Sequence, residues 1–297
     1  MMNGYMDPPT RVTHPVTLPR GIVPRVEAND RHAEFVDTVV PPYILLKITH
    51  AEQLADRGET ARSYFGSVPT VITTTTVRDE YLKTLTYQDE VDILRQFEPD
   101  IHLPADEPTY NSQSPQTRKQ RIQTSLSGYI TVDRLLDEHA ADFDTGRPAI
   151  LPLIKGCTIE EYQMCFTVFR QLDAPMAVLY GVQYFTTGEP RIDEFVEIVE
   201  TVAAVAPATI DLFIIGGLGP TLTSQYPDCV TATAGFTQWY GRVSSLYTES
   251  NDNIILPLHR AKAAYDELAT TTNENLDATV PPSMNANYLD VDPSLRM

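Results

Sequence analysis

The sequence predicts a parallel α/β fold. Seven short, nearly continuous apolar runs read as strands covered on both faces. Stretches with helical periodicity lie between them, so strand and helix alternate over about 230 residues. The spacing stays even and no long crossover interrupts it. That favours a (β/α)8 barrel of TIM type, with one strand not legible, over a doubly wound sheet.

In chain order, residues 1–28 carry Pro8, Pro9, Pro15, Pro19 and Pro24 without apolar periodicity. They read as an extended or partly disordered arm, placed at residues 1–40. A barrel domain is expected over 41–270. Its strands are read at 43–48, 70–75, 100–104, 149–154, 176–180, 212–215 and 229–232. Helices are expected at 51–62, 87–97, 118–139, 159–171, 191–205 and 256–269. In the fifth of these, Ile192, Phe195, Val196, Val199 and Val202 recur every three or four positions and make one apolar stripe. Thr158 followed by Glu161 fits a capping box at the start of 159–171. Residues 271–297 read as a polar, Pro-containing tail.

The 297 residues hold 40 Asp+Glu against 22 Lys+Arg, a formal net charge of −18. Bulk attraction to a polyanion is excluded, so any nucleic-acid contact needs a local basic cluster. Only five lysines occur: Lys47, Lys83, Lys119, Lys155 and Lys262. An acidic, Lys-poor, Thr-rich chain is what a high-salt cytoplasm favours, because the Debye length there falls to about 3 Å and self-repulsion is screened. No run of 18 apolar residues and no charged-then-apolar leader is present, so a soluble, cytoplasmic protein without membrane contact is expected. Cys157, Cys165 and Cys229 make no CxxC and have no His at ligand spacing. Free thiols are expected, with no metal and no cofactor.

In a barrel the strand C-termini form the mouth, so their residues are the candidates for chemistry. The strand at 100–104 runs into Asp106 and Glu107, a carboxylate pair able to accept the N–H groups of a purine-like base. Helix capping or loop solvation is the alternative. Lys155 ends the next strand, suited to an anion or carbonyl, or simply to solvent. Gly181 and Gln183 follow the strand at 176–180, where a Gly would let a planar ligand lie against the backbone or would make a tight turn. Gly216-Gly217-Leu218-Gly219-Pro220 is not GxGxxG and lacks the Lys-Ser/Thr of a P-loop. The densest basic cluster, Arg118, Lys119 and Arg121, opens the helix after the Asp106 loop and is a candidate for phosphates flanking a flipped-out base.

Taken in order, these strand ends resemble the tRNA-guanine transglycosylase superfamily. Asp100-Ile101…Ala105-Asp106-Glu107-Pro108-Thr109-Tyr110 is similar to its Asp-Ile-x-Met-x-x-Asp-Glu-x-x-Pro-Tyr. Pro152-Leu153-Ile154-Lys155-Gly156-Cys157 resembles Gly-Ile-Val-Gln-Gly-Gly. Val178 to Val182 with Gly188-Glu189 resembles Ala-x-Gly-Gly-Leu-x-x-Gly-Glu, and Ile214 to Pro220 resembles Leu-Met-Gly-x-Gly-x-Pro. The likeness covers residues 69–242. It implies a (β/α)8 barrel that exchanges guanine for a 7-deazaguanine base in tRNA or DNA, with Asp106 reading the base. Asp228-Cys229-Val230 matches the family's nucleophile-bearing Asp-Cys-Val, although Thr231 could be the structural equivalent. Departures include Thr74 where the family has a catalytic Asp, Lys155 for the base-reading Gln, and no zinc-binding Cys cluster. The DNA-modifying branch of phages and archaea departs in similar ways and is the nearer comparison.

Three functions remain open. One is base exchange on DNA or RNA, with Asp228 attacking C1′ and Asp106, Glu107, Lys155, Gly181 and Gln183 around the base. Another is a non-catalytic barrel that binds a base or partner. The third is an unrelated barrel enzyme acting on a small molecule. An Asp228 carboxylate facing away from the mouth would leave only the latter two.

Overall fold

The computed structural model describes residues 16–67, 69–186, 189, 191–217, 219–235 and 258–277. Within them, one sheet of nine parallel strands curls on itself, flanked by helices. The chain opens with β1 (Gly21–Val26), then α1 (Asp30–Val39), β2 (Tyr43–Lys47), α2 (Ile48–Ala55), α3 (Ala61–Phe65) and β3 (Thr70–Thr74). Next come α4 (Asp79–Leu82), α5 (Tyr87–Phe97), β4 (Ile101–Leu103), α6 (Pro115–Glu138), β5 (Ala149–Ile150) and β6 (Leu153–Ile154). The remainder is α7 (Ile159–Gln171), β7 (Met176–Tyr180), α8 (Gln183–Thr186), α9 (Ile192–Val205), β8 (Asp211–Ile215), α10 (Pro220–Thr223), β9 (Val230–Gly235) and α11 (Leu258–Asp277).

The strand order is β5-β4-β3-β2-β1-β9-β8-β7-β6. Its two end strands are neighbours in the chain, separated only by Leu151 and Pro152. β5 pairs with β4 and β6 pairs with β7. The Leu151 N–H donates to the His102 carbonyl, and the Pro152 carbonyl accepts from Val178 N–H. One extended segment thus serves first one wall and then the other. Proline has no N–H with which to prolong the first ladder. The result is a curled half-barrel with a seam, and not the closed eight-stranded (β/α)8 barrel expected from sequence.

Three further expectations are corrected. Residues 1–40 are not simply an arm, because β1 and α1 lie within them, and β1 sits at the middle of the sheet between β2 and β9. The expected helix over 51–62 is two helices, with a break at Gly58, whose φ is +76°. The polar tail from 271 is helix as far as Asp277, with Thr272 and Leu276 buried. Residues 278–297 lie outside the described residues.

Helix starts follow local chemistry. Thr60 and Thr86 make reciprocal capping boxes with Ser63 and Asp89, each closing two otherwise unsatisfied N–H groups. Thr158 accepts from Glu161 N–H, but the Glu161 side chain turns elsewhere, as described below. The strands bury alternate residues on opposite sides. Ile22, Val26, Ile44, Leu46 and Val71 pack outward with Phe35, Val39, Leu54 and Tyr265. Val23, Leu45 and Ile72 belong to the other cluster, with Ile101, Leu103 and Leu153. Alternation therefore carries Arg25, Lys47 and Thr74 onto the same face as Val23, Leu45 and Ile72, at the C-terminal ends of their strands.

The start of β1 is fixed by α11. Asn273 Oδ1 accepts from Ile22 N–H at 3.2 Å. Gly21 has φ +68°, and a Cβ there would lie 1.9 Å from that oxygen. Asn273→Ala is expected to lower stability by about 1 kcal/mol, the net value of one such bond. Urea unfolding at fixed salt measures it, and an unchanged midpoint would show that β1 is held by its ladders alone.

Candidate functional site

Because all nine strands run parallel, their C-termini meet at one end. The turn after β4 is shaped by a buried polar network. His102 is fully buried; its Nε2 contacts Glu90 Oε1 at 2.7 Å and its Nδ1 contacts Thr73 Oγ1 at 2.8 Å. The same Glu90 oxygen accepts from Ala105 N–H at 3.0 Å. Ala105 has φ +47°, a left-handed conformation that a residue with a Cβ rarely adopts. Glu90 holds it there. The next residue, Asp106, donates its N–H to Thr75 Oγ1 at 3.1 Å. The order Thr-His-Glu has the look of a nucleophile, base and orienting acid, but all three are shut off from solvent, so its work is to aim the β4 turn.

Asp106 is aimed at Lys155, which leaves the end of β6, and Lys155 Nζ engages Asp106 Oδ1. Both side chains are 12% exposed. Among the described residues the other carboxylate oxygen, Oδ2, has no hydrogen-bond partner. The pair lines a cavity of about 450 Å³, within the range of about 300–1,000 Å³ that small-molecule sites occupy. Tyr110, Tyr180 and Tyr184 form aromatic parts of its wall, with Asp79, Gln183 and Arg191 at polar positions. The Arg191 guanidinium lies 4.8 Å over the Tyr184 ring. Tyr110 donates to both oxygens of Asp79, at 2.9 and 2.8 Å, which ties the β4 loop to α4. Burial and this carboxylate push the Tyr110 hydroxyl up to about 12. A smaller cavity of about 300 Å³ adjoins, lined by Glu90, Ala105, Asp106 and Glu107.

The sequence-derived candidates fall into separate groups. Asp106, Lys155 and Gln183 share the larger cavity, and Glu107 lines the smaller one. Gly181 is buried, and a Cβ on it would lie 2.2 Å from the Phe195 ring. The ring fills the space proposed for a planar ligand, so this glycine answers to packing. Gly217 is similar, since a Cβ would meet the Tyr226 hydroxyl at 2.0 Å. Gly188 and Leu218 lie outside the described residues.

The basic cluster is occupied by carboxylates. Arg118 is buried against Glu161, Nε to Oε1 at 3.1 Å, and also donates to the Gln113 carbonyl. Glu161 Oε2 accepts from Cys157 N–H at 2.8 Å, which is why it does not close a capping box. Lys119 pairs with Glu160 at 2.7 Å, and Arg121 reaches Glu107 and the Pro108 carbonyl. These contacts dock α6 on α7 and on the β4 loop.

Asp228 stands at the other end of the molecule. It is exposed and precedes Val230, the first residue of β9, so it lies beside the N-terminal ends of the strands. The structure does not bring it to Asp106. Thr231 is buried at the same end of β9, and its hydroxyl has no partner among the described residues. At the mouth, Thr74 and Thr76 bond each other through their hydroxyls, and Thr75 donates to the Leu103 carbonyl. The thiols are not poised for attack. Burial and then Glu161 push Cys157 up, and burial pushes Cys165 to about 11, so neither is a ready thiolate. Among the described residues no cluster of three or more His, Cys, Asp or Glu could hold a metal ion, and no helix is long and apolar enough to cross a membrane.

Sequence reasoning passed over Tyr180, Tyr110 and Asp79. Tyr180 had a signal, being the polar end of an otherwise apolar strand. Asp79 had none, because its place at the mouth depends on a contact 31 residues along the chain. No protein-family model and no curated protein matches this chain.

The β4 turn is the testable element. Glu90→Ala strips an acceptor from two buried donors at once and should cost about 2–4 kcal/mol. Denaturant unfolding reads the loss, and a change under about 0.5 kcal/mol would mean that Glu90 does not hold the turn.

Proposed function

We propose that the curled sheet works as a TIM-type barrel of transglycosylase kind, whose mouth binds a guanine-like or 7-deazaguanine base. In this reading the protein recognises the base, free or within DNA or RNA, and does not exchange it through Asp228. The observation that carries the proposal is the state of Asp106. One of its oxygens is held by Lys155, and the other faces no donor among the described residues, inside a tyrosine-walled cavity. A half-enclosed carboxylate oxygen accepts ring and exocyclic N–H groups strongly, and aromatic faces suit a flat heterocycle. Lys155, standing where the family has Gln, adds a donor for a ring carbonyl. Attack at C1′ needs a nucleophile beside the base, and Asp228 is at the opposite strand ends.

Calorimetric titration with guanine and 7-deazaguanine tests this. Binding is expected, weakened at least tenfold by Asp106→Asn, a loss of about 1.4 kcal/mol, and unaffected by Asp228→Asn. Equal affinity in the Asp106 variant would remove the carboxylate from recognition. Incorporation of labelled base into nucleic acid by the unaltered protein would restore the exchange reading with a different nucleophile.

A further inference from the structure

We infer that Arg118 and Glu161 are positioning residues for the mouth: their buried ion pair braces the seam between β5 and β6 and fixes how Asp106 faces Lys155. What the brace does for a bound base rests on the reading above; the brace itself does not.

Asp106 and Lys155 stand on opposite walls. Asp106 follows β4, one strand in from the β5 edge, and Lys155 follows β6, the other edge. Among the described residues no ladder joins β5 to β6, so strand pairing does not set the spacing of the two loops. Side chains do. Arg118, in the first turn of α6, reaches both walls. Its Nη1 donates at 2.8 Å to the Gln113 carbonyl, in the loop that carries Asp106, and its Nε donates at 3.1 Å to Glu161 Oε1 on α7. Glu161 Oε2 in turn accepts at 2.8 Å from the N–H of Cys157, two residues beyond Lys155. Between them Gly156 has φ +109°, and a Cβ on it would lie 2.5 Å from Glu161 Cβ. The turn after β6 is therefore pressed against this side chain. Cys165 Sγ donates to the Lys155 carbonyl at 3.5 Å, which holds the Lys155 backbone from the α7 side as well.

Arg118 is 7% exposed and Glu161 1%. A pair so buried adds little stability over apolar side chains of equal size, whereas a guanidinium fork fixes direction at two acceptors at once. The neighbouring α6–α7 pair, Lys119 with Glu160, lies in solvent and bonds neither loop.

Trace acetylation of the unliganded protein, read lysine by lysine by mass spectrometry, tests the brace without a ligand. Arg118→Met combined with Glu161→Gln removes both charges and keeps their bulk, so no buried charge is stranded. Labelling of Lys155 relative to the exposed Lys83 and Lys262 should rise several-fold in this variant, as Nζ leaves Asp106, and stay level in Lys119→Gln. Glu161→Gln alone should move it in the same direction, and serves should the double variant fail to fold. Unchanged relative labelling in a folded variant, or an equal rise in Lys119→Gln, would overturn the brace. With ligand, calorimetry compares guanine with 6-thioguanine, whose sulfur is a poor acceptor for Lys155. The unaltered protein should prefer guanine about tenfold, the worth of one charge-assisted hydrogen bond. The double variant should lose that preference; a preference kept while both ligands weaken alike would mean a structural role only, and would overturn the positioning role. A rise in relative labelling, with neither base bound by the unaltered protein, would uphold the brace and reject the base reading.

Discussion

The sheet depends on β1. Along the strand order it is the middle member, and its ladders to β2 and β9 join the β2–β5 wall to the β9–β6 wall. Its side chains serve both sides: Ile22 and Val26 anchor the outer helices, while Val23 continues the apolar face that ends at Arg25. Displacing β1 would separate the walls and also scatter the mouth, because residues of the β2 and β3 ends converge with those of β6 and β7 only when the sheet is curled. The Asn273 contact from α11 therefore acts on the site, although it lies at the far end of the strand.

Much of this was legible where local signals and tertiary packing agree. The apolar stripe of α9, the Thr158 start of α7 and the short apolar run of β7 all fall where the sequence puts them. β1 was hidden because Pro19 and Pro24 imitate an irregular arm, while the partner that makes Pro24 acceptable, Gly235, is remote in sequence. The seam at Pro152 was hidden for the opposite reason: 149–154 is one apolar run, and nothing local says that it changes partners halfway.

At the site, the carboxylate and lysine were readable as polar endings of apolar strands, and the direction of a parallel sheet brings such endings together. What failed was position along a strand. Asp228 precedes the last strand whether that strand is read as 229–232 or followed to Gly235, so it belongs to the strand's start, and only the motif likeness made it a candidate for the mouth. The basic cluster misled differently. Arg118 looks free in sequence because Glu161 lies 43 positions away, and a buried pair leaves no trace in local charge counts. Glycines misled too, since the need for a missing side chain at Gly181 comes from a phenylalanine and not from a ligand.

The place of β1 has a bearing on how the chain is made. β2 follows it at once, but β9, which covers its other edge, is synthesised about 200 residues later, roughly 10–40 s at ordinary ribosomal speed. Throughout that interval an apolar strand waits with one edge open, the condition in which nascent chains pair with the wrong neighbour. Pro24 lies in the stretch registered with β9, and a proline there withholds a backbone donor from any intruding strand. The residue that disguises β1 as an irregular arm thus guards it until its partner leaves the ribosome.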